Sequence, residues 1–321
     1  NVDETAVRLK AETALESFRL FVTLLPLEPT GLAALEPYGY DVFEEDPRSS
    51  LEPATDIPAP GDYVLGPGDS LDVQLFGNTN AAYIFEVSRE GAISFPDIGP
   101  ITVGGLTLVD ARNLVTERIT EQMIGVRASI SLGELRSIRV FVLGDVERPS
   151  SYTVSGLSTV TNALFVSGGI KPIGSLRGIQ LKRNGETVSE LDLYELFLNG
   201  DSSGDARLQA GDVIFVPPVS ATVSIGGEVR RPAIYEVVAD ESLADAIAYA
   251  GGLTAMGDSS QVKLERIVPG RGISVEDVDL SMVNADSALQ DGDVLRVVSN
   301  LGQLDSGVRL VGNVYQPGLS Q

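Results

Sequence analysis

The stretch VFVLGDVERPSSYTV, residues Val140–Val154, returns later in the chain as VSIGGEVRRPAIYEV, residues Val223–Val237. The two copies start 83 residues apart. Each has apolar and β-branched runs on both sides of a glycine and an Arg-Pro turn, which is typical of two strands joined by a tight connection. A repeat of this length indicates that one structural unit is present twice.

The residues that follow are repeated as well. STVTNALFVSGGI, which starts at Ser158, matches SLADAIAYAGGL, which starts at Ser242. Both have apolar residues at helical spacing and end in the Gly-Gly pair that suits a left-handed helix C-cap. In the second copy, Ser242 and Asp245 have the spacing of a capping box. The buried face of this helix is predicted to consist of Leu243, Ala246, Ile247 and Ala250.

Each copy then continues with a strand-like segment and ends in a Gly-Asp turn before an apolar strand. The strand-like segments are IQLKR, residues 179–183, and VKLER, residues 262–266. The turns lie in LQAGDVIFVP, residues 208–217, and LQDGDVLRVV, residues 289–298. Each copy is therefore predicted to run strand, glycine turn, strand, capped helix, strand, long connection, Gly-Asp turn and strand. Such a unit is a small sheet packed on one helix.

A turn of the same kind occurs earlier, in DYVLGPGDSLDVQLFG, residues 62–77. Pro67 at the second position and Gly68 at the third fit a type II turn, whose third residue needs a positive φ. No GK[ST] sequence or strand-GxGxxG-helix context accompanies the glycines, so a phosphate cradle is disfavoured. The turn is predicted to be architectural and to reverse the chain into a strand.

The residues around this turn predict a small mixed domain. From Val64 to Ile98, short alternating apolar runs are broken by glycines, which predicts strands and tight turns. Thr107 followed by Asp110 resembles a capping box and predicts the start of a helix. The buried face of that helix is predicted to be Leu108, Ala111, Val115 and Ile119. A further strand is predicted over residues 128–132.

The two ends of the chain have different patterns. Residues 2–25 have apolar side chains near helical spacing and predict a packing helix. Seven of the 17 prolines lie between Pro26 and Pro60, which predicts an extended arm. A third copy of the repeat begins at VRLVGNVYQPG, residues 308–318, so we expect the natural chain to continue beyond Gln321.

Composition excludes several classes of protein. The 321 residues include 23 Lys and Arg and 45 Asp and Glu, and the formal charge of −22 disfavours nucleic acid as a partner. The absence of histidine and cysteine excludes Ser-His and Cys-His nucleophiles and the usual zinc ligands. The most apolar run, Phe18–Leu25, is shorter than a membrane span.

Three segments in this order resemble the polysaccharide export proteins of Gram-negative outer membranes. They are DYVLGPGDSLDVQLFG, then EGAISFPDIGPITVGGLTLVDARNLV (residues 90–115), then LGDVERPSSYTV. The resemblance implies an α+β fold with a mixed export-protein domain followed by tandem β-grasp repeats of the soluble-ligand-binding (SLBB) type. The expected domains are a helix and arm (1–60), the export domain (61–137), the first repeat (138–220), the second repeat (221–306) and a truncated third (307–321).

The same resemblance implies a function. It predicts a non-enzymatic periplasmic protein, associated with the outer membrane in its full-length form, that assembles into a homo-oligomeric ring. The stacked β-grasp layers would surround a cavity through which capsular or extracellular polysaccharide leaves the cell, and an inner-membrane polysaccharide co-polymerase or export protein would be a partner. No cofactor is implied. The alternative is a soluble β-grasp module that binds a small ligand or a cell-wall glycan without forming a channel.

The candidate residues are mostly structural. The turns are predicted to depend on Gly66, Pro67, Gly68, Asp69, Gly144, Pro149, Gly211, Asp212, Gly227, Pro232, Gly292 and Asp293. Arginines at equivalent places in the repeats are candidates for subunit or intramodule ion pairs, or for contact with acidic sugars: Arg148, Arg230 and Arg231. Catalytic and metal-binding residues are not predicted.

Two sharper interpretations are disfavoured. Asp69 with Asp72, or Asp277 with Asp279, would suit a glycosidase only at a set separation across a sugar ring, which sequence spacing does not establish. NGDSSGD, residues 199–205, approaches a calcium loop but lacks the later bidentate acid, because that position is Ala210. A polar surface loop is the preferred interpretation.

Overall fold

The computed structural model describes residues 35–43, 60–280 and 288–300, together with the backbone of two short strands, residues 308–310 and 318–320. The chain divides into two compact units: Tyr38–Ser220 is the first, and Asn1–Pro37 with Ala221–Gln321 is the second. The predicted helix over residues 2–25, most of the proline-rich arm and most of the third copy lie outside the described residues.

The first unit begins with the small mixed domain. Its elements are β1 (Ser70–Gly77), β2 (Ala81–Glu86), β3 (Ala92–Phe95), β4 (Gly99–Thr102), α1 (Leu108–Gln122) and β5 (Val126–Leu132). β1 is the central strand of an antiparallel sheet with the order β2-β1-β5, and β3 and β4 form a separate hairpin. This arrangement follows from the short alternating runs because each run ends at a glycine or a turn.

Helix α1 buries the face that the sequence predicts. The side chain of Thr107 caps the helix by accepting a hydrogen bond from the amide of Asp110. All four predicted residues, Leu108, Ala111, Val115 and Ile119, are completely buried. They pack with inward side chains of the strands, such as Leu71 and Val73 on β1, in one hydrophobic core. The 3.6-residue period of the apolar side chains therefore fixes how the helix lies on the sheet.

The first repeat completes this unit. Its elements are β6 (Ser137–Gly144), β7 (Ser150–Ser155), α2 (Val160–Val166), β8 (Ile179–Arg183), β9 (Glu186–Leu191) and β10 (Val213–Val216). They form a five-stranded sheet with the order β7-β6-β10-β8-β9. β6 and β10 are parallel, and the other neighbours are antiparallel.

The second repeat, in the second unit, has the same topology. Its elements are β11 (Thr222–Gly227), β12 (Ala233–Glu236), α3 (Leu243–Tyr249), β13 (Gly257–Val268), β14 (Gly272–Val278) and β15 (Val294–Ser299). The strand order is β12-β11-β15-β13-β14, with β11 and β15 parallel. At the outer edge, the amide of Ile234 donates to the carbonyl of Glu36 at 2.9 Å. β16 (Val308–Leu310) and β17 (Gly318–Ser320) form an antiparallel pair.

The structure corrects the sequence match of the two repeat helices by one residue. The N-cap of α2 is Thr159, not Ser158, and it forms a complete capping box with Asn162. The N-cap of α3 is Ser242, which forms the predicted capping box with Asp245. Because an N-cap is defined by its side-chain bond to the third helical residue, the structural equivalence is Thr159 with Ser242.

The long connection predicted in each repeat contains an additional strand. β9 pairs antiparallel with β8, and β14 pairs antiparallel with β13. Both are edge strands whose side chains are mostly exposed. An edge strand with few inward apolar residues lacks the alternation that identifies a half-buried strand, which explains why the sequence pattern did not reveal it.

Candidate functional site

The three Gly-Asp turns have one geometry. In each, the amide of the aspartate donates to the carbonyl three residues earlier, at 3.1 Å: Asp69 to Gly66, Asp212 to Gln209, and Asp293 to Gln290. The preceding glycines have φ angles of 92°, 89° and 83°: Gly68, Gly211 and Gly292. This positive φ is what a type II turn requires at its third position. The turn before β1 and the turns inside the repeats are therefore the same structure.

The aspartate of each turn is a buried carboxylate that closes the turn. Its Oδ2 accepts a hydrogen bond from the amide at the first turn position, at 2.8 Å for Asp69, 2.8 Å for Asp212 and 2.9 Å for Asp293. All three side chains are at most 1% exposed. A side chain that satisfies the free amide of its own turn favours this conformation over the extended chain.

Each carboxylate also forms an ion pair with one arginine. Arg183 Nε and Nη2 lie 2.8 and 2.7 Å from the two oxygens of Asp212. Arg266 makes the same two-pronged contact with Asp293, at 2.8 and 2.6 Å. Asp69 is paired with Arg136, whose Nη1 lies at 2.7 Å. The hydrogen bonds with the aspartates raise the pKa of Arg183 and Arg266 above the ordinary value.

Sequence reasoning did not identify these arginines as partners of the turns. Two of them occupy the last position of the repeated segments IQLKR and VKLER, so the repeat itself contained the signal. The recurrence of both an Arg and a Gly-Asp in two copies could have suggested that they meet across neighbouring strands. Arg136 lies outside the repeats, and no comparable pattern marks it.

The first turn has one further contact. The hydroxyl of Tyr63 donates to Asp69 Oδ1 at 2.7 Å, and the amide of Arg136 donates to the same oxygen at 2.8 Å. Burial of the phenol, together with this bond, raises the pKa of Tyr63 well above its ordinary range. Asp69 thus accepts bonds from several groups of its own domain, which gives it a structural role.

In each repeat, the glycine that ends the first strand is required by close packing. Gly144 ends β6 and Gly227 ends β11, with φ angles of 93° and 81°. A Cβ at these positions would lie 2.0 Å from the carbonyl oxygen of Val216 and 2.1 Å from that of Val297. Only glycine fits such an approach to a neighbouring strand.

The Arg-Pro turns that follow are exposed and are closed by a tyrosine in both repeats. Tyr152 donates its hydroxyl to the carbonyl of Arg148 at 2.5 Å, and Tyr235 donates to that of Arg231 at 2.7 Å. Each bond ties the strand after the turn to the residue before the proline. The turn prolines, Pro149 and Pro232, lie at the surface.

The three predicted arginines lie at the surface beside the ends of the repeat helices. If Gly168 carried a Cβ, that atom would lie 3.4 Å from Arg148 Nε. A Cβ on Gly251 would likewise lie 3.4 Å from Arg231 Nε. Arg230 is adjacent and also exposed. A cation at this place is favourable because the last carbonyl groups of a helix carry partial negative charge. This position suits an intramodule role.

The polar loop of residues 199–205 contributes to the fold. Asp201 accepts a hydrogen bond from the amide of Ser203 at 2.8 Å, and Asp205 accepts one from the amide of Thr161 in the first turn of α2, at 2.9 Å. Among the described residues, no group of three or more acidic side chains is placed to hold a metal ion. Asp205 therefore acts as a second cap for α2.

An aromatic segment before the mixed domain packs on the first repeat. Tyr40 donates its hydroxyl to the carbonyl of Gly174 at 2.7 Å. Tyr38 contacts Tyr194 edge to face, with ring centroids 5.4 Å apart. Phe43 lies with its ring centroid 4.9 Å from that of Phe165. These three contacts hold residues 38–43 on the first repeat, where the sequence predicted only an extended arm.

Parts of the chain match known protein families. Residues 57–133 match the polysaccharide biosynthesis/export protein family, and residues 138–216 and 222–276 each match the SLBB domain. These matches have the order that the sequence resemblance implied and confirm the α+β architecture of an export domain followed by β-grasp repeats. Within the described residues, no helix has the length and apolar content of a membrane crossing.

Two curated proteins illustrate the relatives of this chain. The polysialic acid transport protein KpsD of Escherichia coli is 34% identical over 170 residues, which cover 52% of this chain and 30% of that protein. The EPS I polysaccharide export outer membrane protein EpsA of Ralstonia solanacearum is 28% identical over 191 residues, which cover 58% of this chain and 50% of that protein. The chain thus spans between about a third and a half of the length of these relatives.

Proposed function

We propose that this chain, which has the domain order of an outer-membrane polysaccharide export protein with SLBB domains, is the periplasmic part of a channel for such polysaccharides. The observation that carries the proposal is the succession of one export domain and two SLBB domains along a single chain. The names of the relatives, a polysialic acid transport protein and a polysaccharide export outer membrane protein, support it. The chain assembles with further copies of itself into a ring.

The proposed role is transport without chemical change of the polysaccharide. Two of the four acids considered as catalytic are held in ion pairs: Asp69 is buried with Arg136, and Asp277, at the surface, is paired with Lys263 at 2.8 Å. The sequence also lacks histidine and cysteine. A domain whose buried carboxylates stabilise its own turns is suited to forming the wall of a channel rather than to catalysis.

The acidic composition is compatible with this role. A formal charge of −22 limits adhesion of acidic capsule polymers to the protein by electrostatic repulsion. An inner-membrane polysaccharide co-polymerase or export protein would pass the polymer to the periplasmic ring. The full-length protein is expected to be associated with the outer membrane of a Gram-negative cell.

Mass in solution tests the proposal. Light scattering is measured over a concentration series for residues 1–321 and for a longer form that continues beyond Gln321. A discrete large oligomer in either form is the expected result. A monomer in both would favour the alternative, a soluble β-grasp module that binds a small ligand or a cell-wall glycan. Release of new reducing ends from an added capsular polysaccharide would contradict the non-enzymatic role.

A further inference from the structure

The sheet of the first repeat has an apolar outer face. Its inward side chains, such as Val140, Val142 and Ile214, are fully buried. The outward side chains of β6 and β10 alternate with them and are also large and apolar: Phe141, Leu143, Val213 and Phe215. In the strand register, Phe141 pairs with Val213 and Leu143 with Phe215. The four side chains therefore form one block, which we call the repeat-1 face.

The fold does not require this face to be apolar. The second repeat has the same strand order, and its register places Ser224 beside Val294 and Gly226 beside Arg296 at the corresponding positions. Two large side chains of the first repeat, Phe141 and Phe215, are thus replaced by Ser224 and Arg296. Phe141 and Leu143 are nevertheless 38% and 39% exposed. Apolar surface that the fold does not need is typical of a binding face.

The repeat-1 face has a positive border. Lys182 on β8 pairs with Val213, and its Nζ lies 5.1 Å from the centre of the Phe215 ring. Arg139 lies two residues before Phe141 on the same side of β6. Neither cation forms an ion pair with the described residues. In a chain with a formal charge of −22, this is a local site of attraction for an acidic partner.

A second exposed apolar patch lies on the β13–β14 hairpin of the second repeat. Ile267, Ile273 and Val275 are 62%, 70% and 59% exposed. Ile267 pairs with Ile273 and Glu265 pairs with Val275, so the four residues share one side of the hairpin. Glu265 forms no ion pair with the described residues. We call this group the repeat-2 hairpin patch; it is apolar, with Glu265 at its border. On the same side of the sheet, next to Glu265, lie the ion pair of Lys263 with Asp277 and, beside Lys263, Arg296 of β15.

We propose that the repeat-1 face of one copy binds the repeat-2 hairpin patch of a second copy. The inference rests on the proposed ring and names the surfaces that would build it. The two patches have matching chemistry, since each is apolar and the cation Lys182 at the border of one can pair with the carboxylate of Glu265 at the border of the other. They are also different surfaces of the same chain, and contact between unlike surfaces is what generates a ring or a filament.

The repeats themselves supply the substitutions that test this contact. Lys182 and Glu265 occupy equivalent positions, 83 residues apart, in the two repeats. Lys182→Glu therefore installs the residue that the second repeat has at this place, and Glu265→Lys installs that of the first. Both substitutions lie on outward strand positions, so the fold tolerates them. Circular dichroism and thermal unfolding of each variant verify this.

The experiment compares assembly by light scattering for the wild type, the two single variants and the double variant. We expect each single variant to weaken assembly at least about tenfold, because it places like charges across the contact. The double variant restores the opposite charges and is expected to recover most of the lost assembly. Phe141→Ser, which also installs the residue of the second repeat, is expected to weaken assembly without charge change.

The outcomes separate this inference from the proposed function. A wild type that assembles while both single variants assemble equally well would leave the ring in place and refute this interface. A wild type that stays monomeric would remove the ring and the interface together. The Phe141→Ser variant is also tested for binding of a sialic acid oligomer. If this variant assembles like the wild type but no longer binds the oligomer that the wild type binds, the repeat-1 face binds glycan and the inference is wrong.

Discussion

A buried carboxylate stabilises each Gly-Asp turn through two kinds of bond. It accepts a hydrogen bond from the first amide of its own turn, and it forms an ion pair with an arginine from a neighbouring segment. Asp212, for example, accepts from the amide of Gln209 and pairs with Arg183. The arginines are partly exposed, between 21% and 29%, whereas the aspartates are almost fully buried. The burial of the carboxylate is therefore the larger electrostatic cost, and the arginine offsets it.

This asymmetry predicts the effect of removing the arginine. Arg183→Ala leaves Asp212 buried without its cation, and we expect it to lower the free energy of unfolding by about 3 kcal/mol. Adding Asp212→Asn should give a loss smaller than the sum of the two single losses, because the uncompensated charge is gone. Denaturant unfolding measures all three variants.

A matched control is the exposed pair Lys263 and Asp277, whose side chains are 45% and 73% exposed. Lys263→Ala is expected to cost less than ~1 kcal/mol, as for other surface pairs. If Arg183→Ala were as mild as this control, the buried pair would not be a principal support of the repeat.

At the scale of elements, the capping boxes of α2 and α3 differ in one side chain, which is an amide in α2 and a carboxylate in α3. The third helical residue is Asn162 in α2 and Asp245 in α3. Asp245 accepts a hydrogen bond from the amide of Ser242 at 2.9 Å, and this bond lowers the pKa of Asp245 below its ordinary value. Of the two capping boxes, only that of α3 therefore contains a titratable side chain.

The sign of the pH dependence follows from the lowered pKa. A carboxyl group that is more acidic in the folded state contributes stability above its unfolded pKa, and the contribution is lost as the pH falls through the folded pKa. We expect Asp245→Asn, which copies the first repeat, to destabilise α3 at neutral pH and to have little effect near pH 2. Hydrogen exchange of the α3 amides at several pH values measures this difference.

The first repeat itself is the internal reference for that measurement. The amides of α2, capped by Asn162, should show the same protection in the wild type and in Asp245→Asn at every pH. An equal loss of protection in both helices would mean that the substitution acts on overall stability rather than on the cap.

The segment of residues 38–43 is held to the first repeat by a contact that glycine permits. A Cβ on Gly169 would lie 2.3 Å from Cβ of Phe43. A Cβ on Gly252, the equivalent glycine of the second repeat, would have no atom within 4 Å. Both residues have a positive φ, 92° and 80°, so alanine strains the backbone at both sites.

Gly169→Ala and Gly252→Ala therefore differ chiefly in what happens to Phe43. We expect Gly169→Ala to displace this ring and to increase hydrogen exchange of the Phe43 amide, which donates to the carbonyl of Tyr40 at 3.1 Å. Gly252→Ala is expected to cost about 1 kcal/mol from backbone strain and to leave exchange at residues 38–43 unchanged. Equal exchange in the two variants would contradict the packing role of Phe43.

These elements also show what the sequence could predict. The faces of α1 and α3 were predicted correctly because helical periodicity is contained within one short segment. The partners of the Gly-Asp turns were not, because Arg183 and Asp212 are 29 residues apart and meet only through the pairing of β8 with β10. The edge strands were missed because their side chains face solvent. Local patterns reveal burial within an element, and not which elements become neighbours.

At the scale of the whole molecule, net charge opposes assembly. Each copy has a formal charge of −22, so copies repel one another at long range. The proposed contact attracts through few pairs, such as Lys182 with Glu265 of a second copy. The Debye length falls from about 30 Å at 0.01 M salt to about 8 Å at 0.15 M. Salt therefore screens the long-range repulsion more completely than pairs that are in contact.

We accordingly expect assembly to strengthen as sodium chloride is raised from low ionic strength to physiological ionic strength. Light scattering at fixed protein concentration measures the change. The Lys182→Glu, Glu265→Lys double variant has the same net charge as the wild type, so its assembly should depend on salt in the same way. It is the control which shows that the salt effect comes from net charge and not from which copy carries the contact cation. Assembly that weakens steadily with salt would mean that attraction between contact charges exceeds the net repulsion, and that the acidic composition does not limit assembly. Because this repulsion acts in every copy of the proposed ring, we expect apolar contacts such as those proposed for Phe141 to supply most of its stability.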